Sequence, residues 1–105
     1  MNRPFRVAFD VDGCLIDYND KPVNFILTTL RMYQKAGAEI IIWSGGGAEY
    51  AKRWAERLKL GKVRCAFKGD IDNVDIAYDD EEVKLARLNL RVPFKIIADI
   101  KTKGD

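Results

Sequence analysis

Residues 5–13 read FRVAFDVDG, a β-rich run that ends in two aspartates and a glycine. Pro4 precedes the run, and Gly13 supplies the backbone freedom for a sharp exit from a strand. Alternate residues of an extended chain share a face, so Asp10 and Asp12 leave the strand end in similar directions. Two carboxylates this close repel each other unless a cation lies between them or one holds a proton. The stretch therefore predicts a strand that ends in an acidic site, although an Asx turn at the strand end is an alternative interpretation.

The rest of the chain alternates strand-like and helix-like segments. Val23, Ile26, Leu27 and Leu30 repeat at helical spacing, and Gly37 ends that helix. We predict helices at 22–36, 51–58 and 81–90, strands at 5–11, 39–43, 63–67, 74–78 and 94–98, and a frayed polar tail at 101–105. This order is typical of an α/β fold: one Rossmann-like three-layer domain over residues 1–105, with a five-stranded parallel sheet.

Composition excludes several functional classes. The 105 residues are 48% hydrophobic and carry a net charge of +2, which by itself favours neither nucleic acid nor an anionic membrane. The chain has no histidine, which removes Ser–His and Cys–His triads and every histidine-bearing metal site. Two separated cysteines, Cys14 and Cys65, fit a reducing compartment, and no apolar run approaches membrane length. We therefore expect a cytoplasmic protein with no membrane partner.

Polar residues follow three further predicted strands. Asp79 and Asp80 follow strand 74–78, Ser44 and three glycines follow strand 39–43, and Lys68 follows strand 63–67. Ligands of parallel α/β sheets bind at the carboxyl ends of the strands, where all of these residues fall. Converging carboxylates require a cation such as Mg²⁺, and a hydroxyl with bare backbone N–H groups forms an anion site.

Each of these features also has a plain structural interpretation. Asp79 or Asp80 suits the N-cap of a helix beginning at Glu81. The glycines after Ser44 suit a flexible turn, and a lone lysine such as Lys68 is usually solvated. The combination at one sheet edge favours a functional site.

In this order the segments resemble the motifs of the haloacid dehalogenase (HAD) superfamily of phosphotransferases. FDVDGCLID (9–17) resembles its first motif, hhhhDxDG, and IIIWSGG (40–46) its second. Lys68 is placed like the third-motif lysine, and VDIAYDD (74–80) resembles the fourth motif, hhhhDD. Cys14 departs from the usual Thr or Val of the first motif, but its size fits the position.

The resemblance implies a role for each matching residue. Asp10 is expected to be the nucleophile and Asp12 the general acid and base, with Lys68 bridging Asp10 and the phosphate. Ser44 and the N–H of Gly45 are expected to hold the phosphoryl oxygens. The expected Mg²⁺ ligands are Asp10, the Asp12 backbone carbonyl, Asp79 and Asp80.

The intervals between these motifs leave no room for an inserted cap domain. Only residues 14–21 remain as a flap, and Tyr18 within them is a candidate to stack on a substrate ring, or simply an exposed turn residue. The resemblance then implies a capless phosphatase that acts on a bulky or macromolecular phosphomonoester, or that borrows a lid from a second subunit. A basic strip suits a nucleic-acid end as substrate, or is merely a solvated face; it comprises Lys52, Arg53, Arg57, Lys59, Lys62 and Arg64.

Two other functions compete with this hypothesis. A non-catalytic HAD-like binding or regulatory module is the main alternative, but such modules usually lose the nucleophile or the acid, and Asp10 and Asp12 are both present. A phosphorylated receiver domain also has a parallel sheet and an acidic Mg²⁺ site. It would place its phosphoacceptor after the third strand, where this chain has Lys68.

Overall fold

The structure, a computed structural model, describes residues 3–92. The described chain forms five strands and two helices: β1 (Arg6–Asp10), α1 (Asn24–Lys35), β2 (Glu39–Ser44), α2 (Ala48–Arg57), β3 (Arg64–Phe67), β4 (Ile76–Asp79) and β5 (Leu88–Arg91). The strands form one sheet in the order β3-β2-β1-β4-β5, and every neighbouring pair is parallel. This confirms the predicted Rossmann-like α/β fold. Neither helix in the described chain is long and apolar enough to cross a membrane.

The central position of β1 decides where the acidic residues fall. Its register places Asp10 opposite Trp43 of β2, and Phe9 opposite Tyr78 of β4. Because all strands are parallel, Asp10, Ser44 and Asp79 end their strands at the same edge of the sheet. The topology therefore brings residues that are distant in sequence to one place.

The two faces of the sheet bury different layers. Val7 and Phe9 face α1 and α2, where they join Ile26, Leu30 and Trp54 in the larger core. Fully burying each large side chain of this kind contributes about 1.5–3 kcal/mol. The opposite face is covered by irregular chain on either side of β4; its core contains Ala8, Ile41, Trp43, Ile71, Val74 and Ala77.

The predicted helix at 81–90 is wrong. Residues 81–87 form an irregular connection, and β5 follows it and pairs with β4. Asn89 accepts hydrogen bonds from the backbone N–H groups of Leu85 and Ala86 and donates one to the Ala86 carbonyl. Leu85 and Ala86 pack against the smaller core, so tertiary contacts override the local helix propensity. The predicted strand at 94–98 and the tail at 101–105 lie outside the described residues.

Asp75 fastens the amino end of the sheet. Its carboxylate accepts hydrogen bonds from Arg3 and from the backbone N–H of Arg6, both at 2.9 Å. The Arg3 contact, followed by the Arg6 N–H, lowers the pKa of Asp75. A carboxyl with a lowered folded-state pKa contributes stability above its unfolded pKa, and this contribution is lost as the pH falls through the folded value.

We expect Asp75→Ala to lower the free energy of unfolding by about 1–2 kcal/mol at pH 7, because the charged hydrogen bonds are lost. The difference from wild type should shrink as the pH falls below the ordinary value of 3.8, because the carboxylate is protonated first in the unfolded chain and then, at lower pH, in the fold. Urea denaturation at pH 7 and pH 3 measures both values. Asp72→Ala is the matched control at an exposed acid of the same loop. A deficit that is equal at the two pH values would contradict this account.

Candidate active site

Three buried carboxylates converge at the carboxyl edge of the sheet. Asp10 ends β1, Asp79 ends β4, and Asp80 follows it directly. One oxygen from each of the three lies within 4.8 Å of the others. Asp79 is only 1% exposed, and Asp10 and Asp80 are also buried. Since isolated buried carboxylates are costly, this cluster requires positive charge or protons.

Lys68 supplies positive charge to the cluster. Its Nζ lies 3.3 Å from Asp10 Oδ1 and 3.0 Å from Asp79 Oδ2. The residue follows β3, and its backbone N–H donates to the Ser44 carbonyl at 3.0 Å. Burial acts to lower the pKa of Lys68, but the contact with Asp79 and the charge of Asp10 outweigh it and raise the pKa. The lysine therefore remains charged and bridges two of the three acids.

One ammonium does not neutralise this cluster. Burial raises the pKa of Asp10 to about 7, with added repulsion from Asp79, and Lys68 only partly opposes the shift. Burial likewise raises the pKa of Asp79. The site therefore has an electrostatic demand for a further cation, or for protons, at neutral pH.

The loop after β2 forms the other wall of the site. Ser44 is buried, and its Oγ accepts a hydrogen bond from the Gly46 N–H at 2.9 Å. Gly45 and Gly46 are exposed, and α2 begins immediately after Gly47. An exposed backbone loop that leads into a helix N-terminus is suited to an anion such as phosphate.

Two tyrosines contact the acids from outside the sheet. Tyr50, in the first turn of α2, donates a hydrogen bond to Asp12 Oδ1 at 2.9 Å. Tyr18 donates to Asp80 Oδ2 at 2.6 Å. Tyr18 was predicted either to stack on a substrate ring or to be an exposed turn residue, and no role was predicted for Tyr50. The helical spacing of α2 offered no signal for the Tyr50 contact, because its partner lies on a distant loop.

The exposed part of the predicted flap at 14–21 is shorter than expected. Cys14, Leu15 and Ile16 are fully buried in the main core, so they anchor the segment. The exposed part begins near Tyr18, which is 49% exposed and reaches back to Asp80. Asp17 accepts hydrogen bonds from the N–H groups of Asn19 and Lys21, which stabilise this tip as a tight turn.

Gly13 is required by the packing of Asp80. Its φ is +77°, in the left-handed region, and a Cβ there would lie 2.7 Å from Asp80 Cγ and 2.8 Å from Asp80 Cβ. The first motif and the second acid pair therefore touch at Gly13. The conformation and the close approach both exclude a side chain.

We expect Gly13→Ala to destabilise the fold by about 2–4 kcal/mol, through backbone strain and displacement of Asp80. Gly37→Ala is the matched control, because Gly37 has φ +92° but its Cβ would meet nothing within 4 Å. Thermal unfolding of the two variants separates the cost of the left-handed backbone from that of the steric overlap. Equal destabilisation by the two substitutions would refute the role assigned to the Asp80 contact.

These residues surround a cavity of about 320 Å³ at the sheet edge. Most of the site residues predicted from sequence line this cavity: Asp10, Asp12, Ser44, Gly45, Lys68 and Asp80. Tyr18, Gly46 and Glu81 complete the lining. Asp79 lies behind them, where its Oδ1 accepts a hydrogen bond from the Glu81 N–H at 2.9 Å. Asp79 thus caps a turn, but not the helix that the alternative interpretation required.

A second cavity, of about 710 Å³, lies at the opposite end of the sheet. It is bordered by Ile40, Leu60 and Gln34, whose side-chain nitrogen already donates to the Leu60 carbonyl at 2.8 Å. None of the clustered acids lines it. The clustered acids and Lys68 therefore lie at the smaller cavity and not at this one.

The donor set of the acid cluster fits a hard divalent cation. Asp10, Asp79 and Asp80 offer only oxygen ligands, which Mg²⁺ prefers. Asp79 Oδ2 is buried, and the Lys68 ammonium, 3.0 Å away, is its charged neighbour. The raised pKa values of Asp10 and Asp79 indicate carboxylates that a cation would stabilise.

The predicted basic strip spans two regions: Arg53 lies near Tyr50, whereas Lys62 and Arg64 line the larger cavity at the opposite end of the sheet. Arg53 is exposed on α2, with its guanidinium carbon 6.0 Å from the centre of the Tyr50 ring. Arg57 follows one turn further along α2, with its guanidinium carbon 4.2 Å from the ring centre of Trp54. Glu49 and Glu56 are exposed on the same short helix, so the strip is mixed in sign there.

Comparison of the chain with protein-family models, with curated proteins and with solved structures found no match.

Proposed function

We propose that this protein is a Mg²⁺-dependent phosphohydrolase that acts through an aspartyl-phosphate at Asp10. The observation that carries the proposal is the convergence of three buried carboxylates and Lys68 with the Ser44 loop around one cavity. Carboxylates that bind a cation, facing a loop suited to an anion, are the two halves of a phosphoryl-transfer site. The resemblance of the four motifs to the HAD superfamily supports the same function.

The proposed hydrolysis proceeds in two steps, formation of an aspartyl-phosphate and its hydrolysis. Asp10 attacks phosphorus, the bond from phosphorus to the ester oxygen breaks, and Asp12 protonates the departing oxygen. Asp12, now ionised, takes a proton from water as the water attacks the aspartyl-phosphate, which releases inorganic phosphate and restores both acids. Asp10, Asp79, Asp80 and the Asp12 carbonyl would hold Mg²⁺, which neutralises charge on the phosphoryl oxygens when bound.

Lys68 and the loop at residues 44–46 orient the phosphoryl group in this scheme. The ammonium that now bridges Asp10 and Asp79 is close enough to the nucleophile to contact a phosphate oxygen as well. Ser44 and the Gly45 N–H offer donors from the opposite wall. Donors fixed before the substrate arrives need no reorganisation as charge develops in the transition state.

The openness of the site favours a large substrate. The cavity is small, and the exposed chain beside it is the short tip at residues 17–21. A site of this size gains little binding energy from a small leaving group. We therefore infer a bulky or macromolecular phosphomonoester, with a phosphorylated nucleic-acid end reaching the basic strip as one candidate. A lid from a second subunit is the other way to enclose a substrate.

A reducing compartment such as the cytoplasm suits the protein. Cys14 and Cys65 are both free thiols, and Cys14 is fully buried beside the acids. Burial raises the pKa of Cys14 well above its usual value, which keeps the thiol protonated and unreactive.

A panel of phosphomonoesters tests the proposal: aryl phosphates, nucleotides, sugar phosphates and end-phosphorylated oligonucleotides, each with Mg²⁺ and with EDTA. We expect Mg²⁺-dependent phosphate release, slow and with high KM on aryl phosphates, and more efficient on a larger substrate. Mg²⁺ binding without turnover of any substrate would instead favour the non-catalytic module. Low-micromolar KM for one small metabolite on a monomer, with light scattering as the check, would contradict the open-site argument.

A further inference from the structure

Tyr50 connects the phosphate-binding loop to the proposed general acid. Its hydroxyl donates to Asp12 Oδ1 at 2.9 Å, and its backbone lies in the first turn of the helix that follows residues 44–47. Asp12 itself is exposed on the loop after β1, where a carboxylate without a partner would sample several rotamers. The hydrogen bond selects one position of this carboxylate.

The Tyr50 ring is itself held in place. A Cβ at Gly46 would lie 3.3 Å from Cγ and Cδ2 of Tyr50, so the ring rests directly on the backbone of the glycine loop. The guanidinium carbon of Arg53 lies over the ring, 6.0 Å from the ring centre. Ala51 and Trp54 are buried, and they fix the turn of α2 that carries Tyr50. A ring held in this way directs its hydroxyl at one point.

We propose that Tyr50 is a positioning residue for proton transfer by Asp12. By donating to Oδ1, Tyr50 leaves Asp12 Oδ2 as the oxygen that carries the proton to the leaving group and later takes one from water. Burial and the bond to Asp12 raise the pKa of Tyr50, so the phenol keeps its own proton throughout. This inference rests on the proposed phosphohydrolase function.

The proposal predicts an effect that depends on the leaving group. Alkyl phosphates need a proton on the departing oxygen, whereas p-nitrophenolate departs without one. We expect Tyr50→Phe to lower kcat/KM for glycerol 2-phosphate roughly tenfold, the size expected for loss of one hydrogen bond that positions the acid, and to change kcat/KM for p-nitrophenyl phosphate less than about twofold. A merely structural role would lower both values alike.

Asp12→Asn supplies a second test that does not depend on the size of the first effect. If Tyr50 acts through Asp12, adding Tyr50→Phe to Asp12→Asn should lower kcat/KM for glycerol 2-phosphate no further. Tyr33→Phe is the matched control, because its hydroxyl contacts the Tyr78 hydroxyl at 3.0 Å on the main-core side of the sheet and lines neither cavity. Thermal melts of each variant confirm that the fold is retained.

The outcomes separate this inference from the function on which it rests. Equal losses on both substrates, no loss on either, or additive losses in the double variant would overturn the role of Tyr50 and leave the phosphohydrolase intact. Wild-type protein that hydrolyses these two substrates and every other phosphomonoester of the panel no faster in Mg²⁺ than in EDTA would overturn both. A loss confined to glycerol 2-phosphate that disappears in the Asp12→Asn background supports the proposal.

Discussion

Asp10→Asn is expected to lower phosphate release by roughly a thousandfold or more, while the metal-free variant melts at a higher temperature than wild type. The amide keeps the shape of the side chain but cannot attack phosphorus. The gain in stability arises because burial and Asp79 raise the pKa of Asp10 to about 7, so its ionised form is disfavoured in the fold. A relief of about 1 kcal/mol corresponds to a shift of about 4–8 °C in a domain of this size.

Opposite changes in activity and stability distinguish a catalytic acid from a structural one. Loss of a structural carboxylate would lower both quantities. Asp72→Asn is the control, since Asp72 is an exposed acid outside the cluster, and both quantities should stay near wild type. Phosphate release in Mg²⁺ and thermal melts in EDTA provide the comparison. Turnover at the wild-type rate by Asp10→Asn would refute the mechanism.

Mg²⁺ should stabilise the protein more at pH 8 than at pH 5. Asp10 has a folded-state pKa of about 7 against an ordinary value of 3.8, and the pKa of Asp79 is raised for the same reason, burial. As the pH rises from about 4 to about 7, the unfolded chain releases these protons first, so the metal-free fold loses stability across that range. Above pH 7 the Asp10 loss is complete, and Mg²⁺ then binds carboxylates that are already ionised.

Thermal melts in Mg²⁺ and in EDTA at the two pH values measure this linkage. At a hundredfold excess of Mg²⁺ over its Kd the stabilisation is about 2.7 kcal/mol. Asp75 does not mask the effect, because its lowered pKa makes its stabilising contribution the same at pH 5 and pH 8 and confines the loss of that contribution to more acidic solutions. In Asp10→Asn the response to Mg²⁺ should shrink. A metal-free protein that is more stable at pH 8 than at pH 5, or a Mg²⁺ effect independent of pH, would contradict the proposed site.

The sheet and the acid cluster could be predicted because their signals are local and strong. Apolar runs define β1 and β2, and parallel topology then places Asp10, Ser44 and Asp79 at one edge. The segment 81–90 misled the prediction, because leucines at helical spacing also suit an irregular crossover followed by a short strand. There the contacts of Leu85 and Ala86 with the smaller core decide the structure.

The tyrosine contacts could not be predicted, because no sequence pattern encodes them. Tyr50 and Asp12 are 38 residues apart, and Tyr18 and Asp80 are 62 apart. Each contact depends on how loops at the sheet edge fold over one another. Similarly, the sequence DVDG predicts a turn at Gly13. Only the tertiary structure shows that Asp80 occupies the space that a side chain at position 13 would need.

The most direct test of an aspartyl-phosphate mechanism is the mass of the Asp12→Asn variant after acid quenching of its reaction with p-nitrophenyl phosphate in Mg²⁺. This leaving group departs without a proton, whereas hydrolysis of the intermediate needs the base that the variant lacks. We predict one added phosphoryl group, located by peptide mapping at Asp10 and absent in EDTA. An unmodified chain, or a phosphoryl group at another residue, would contradict the account.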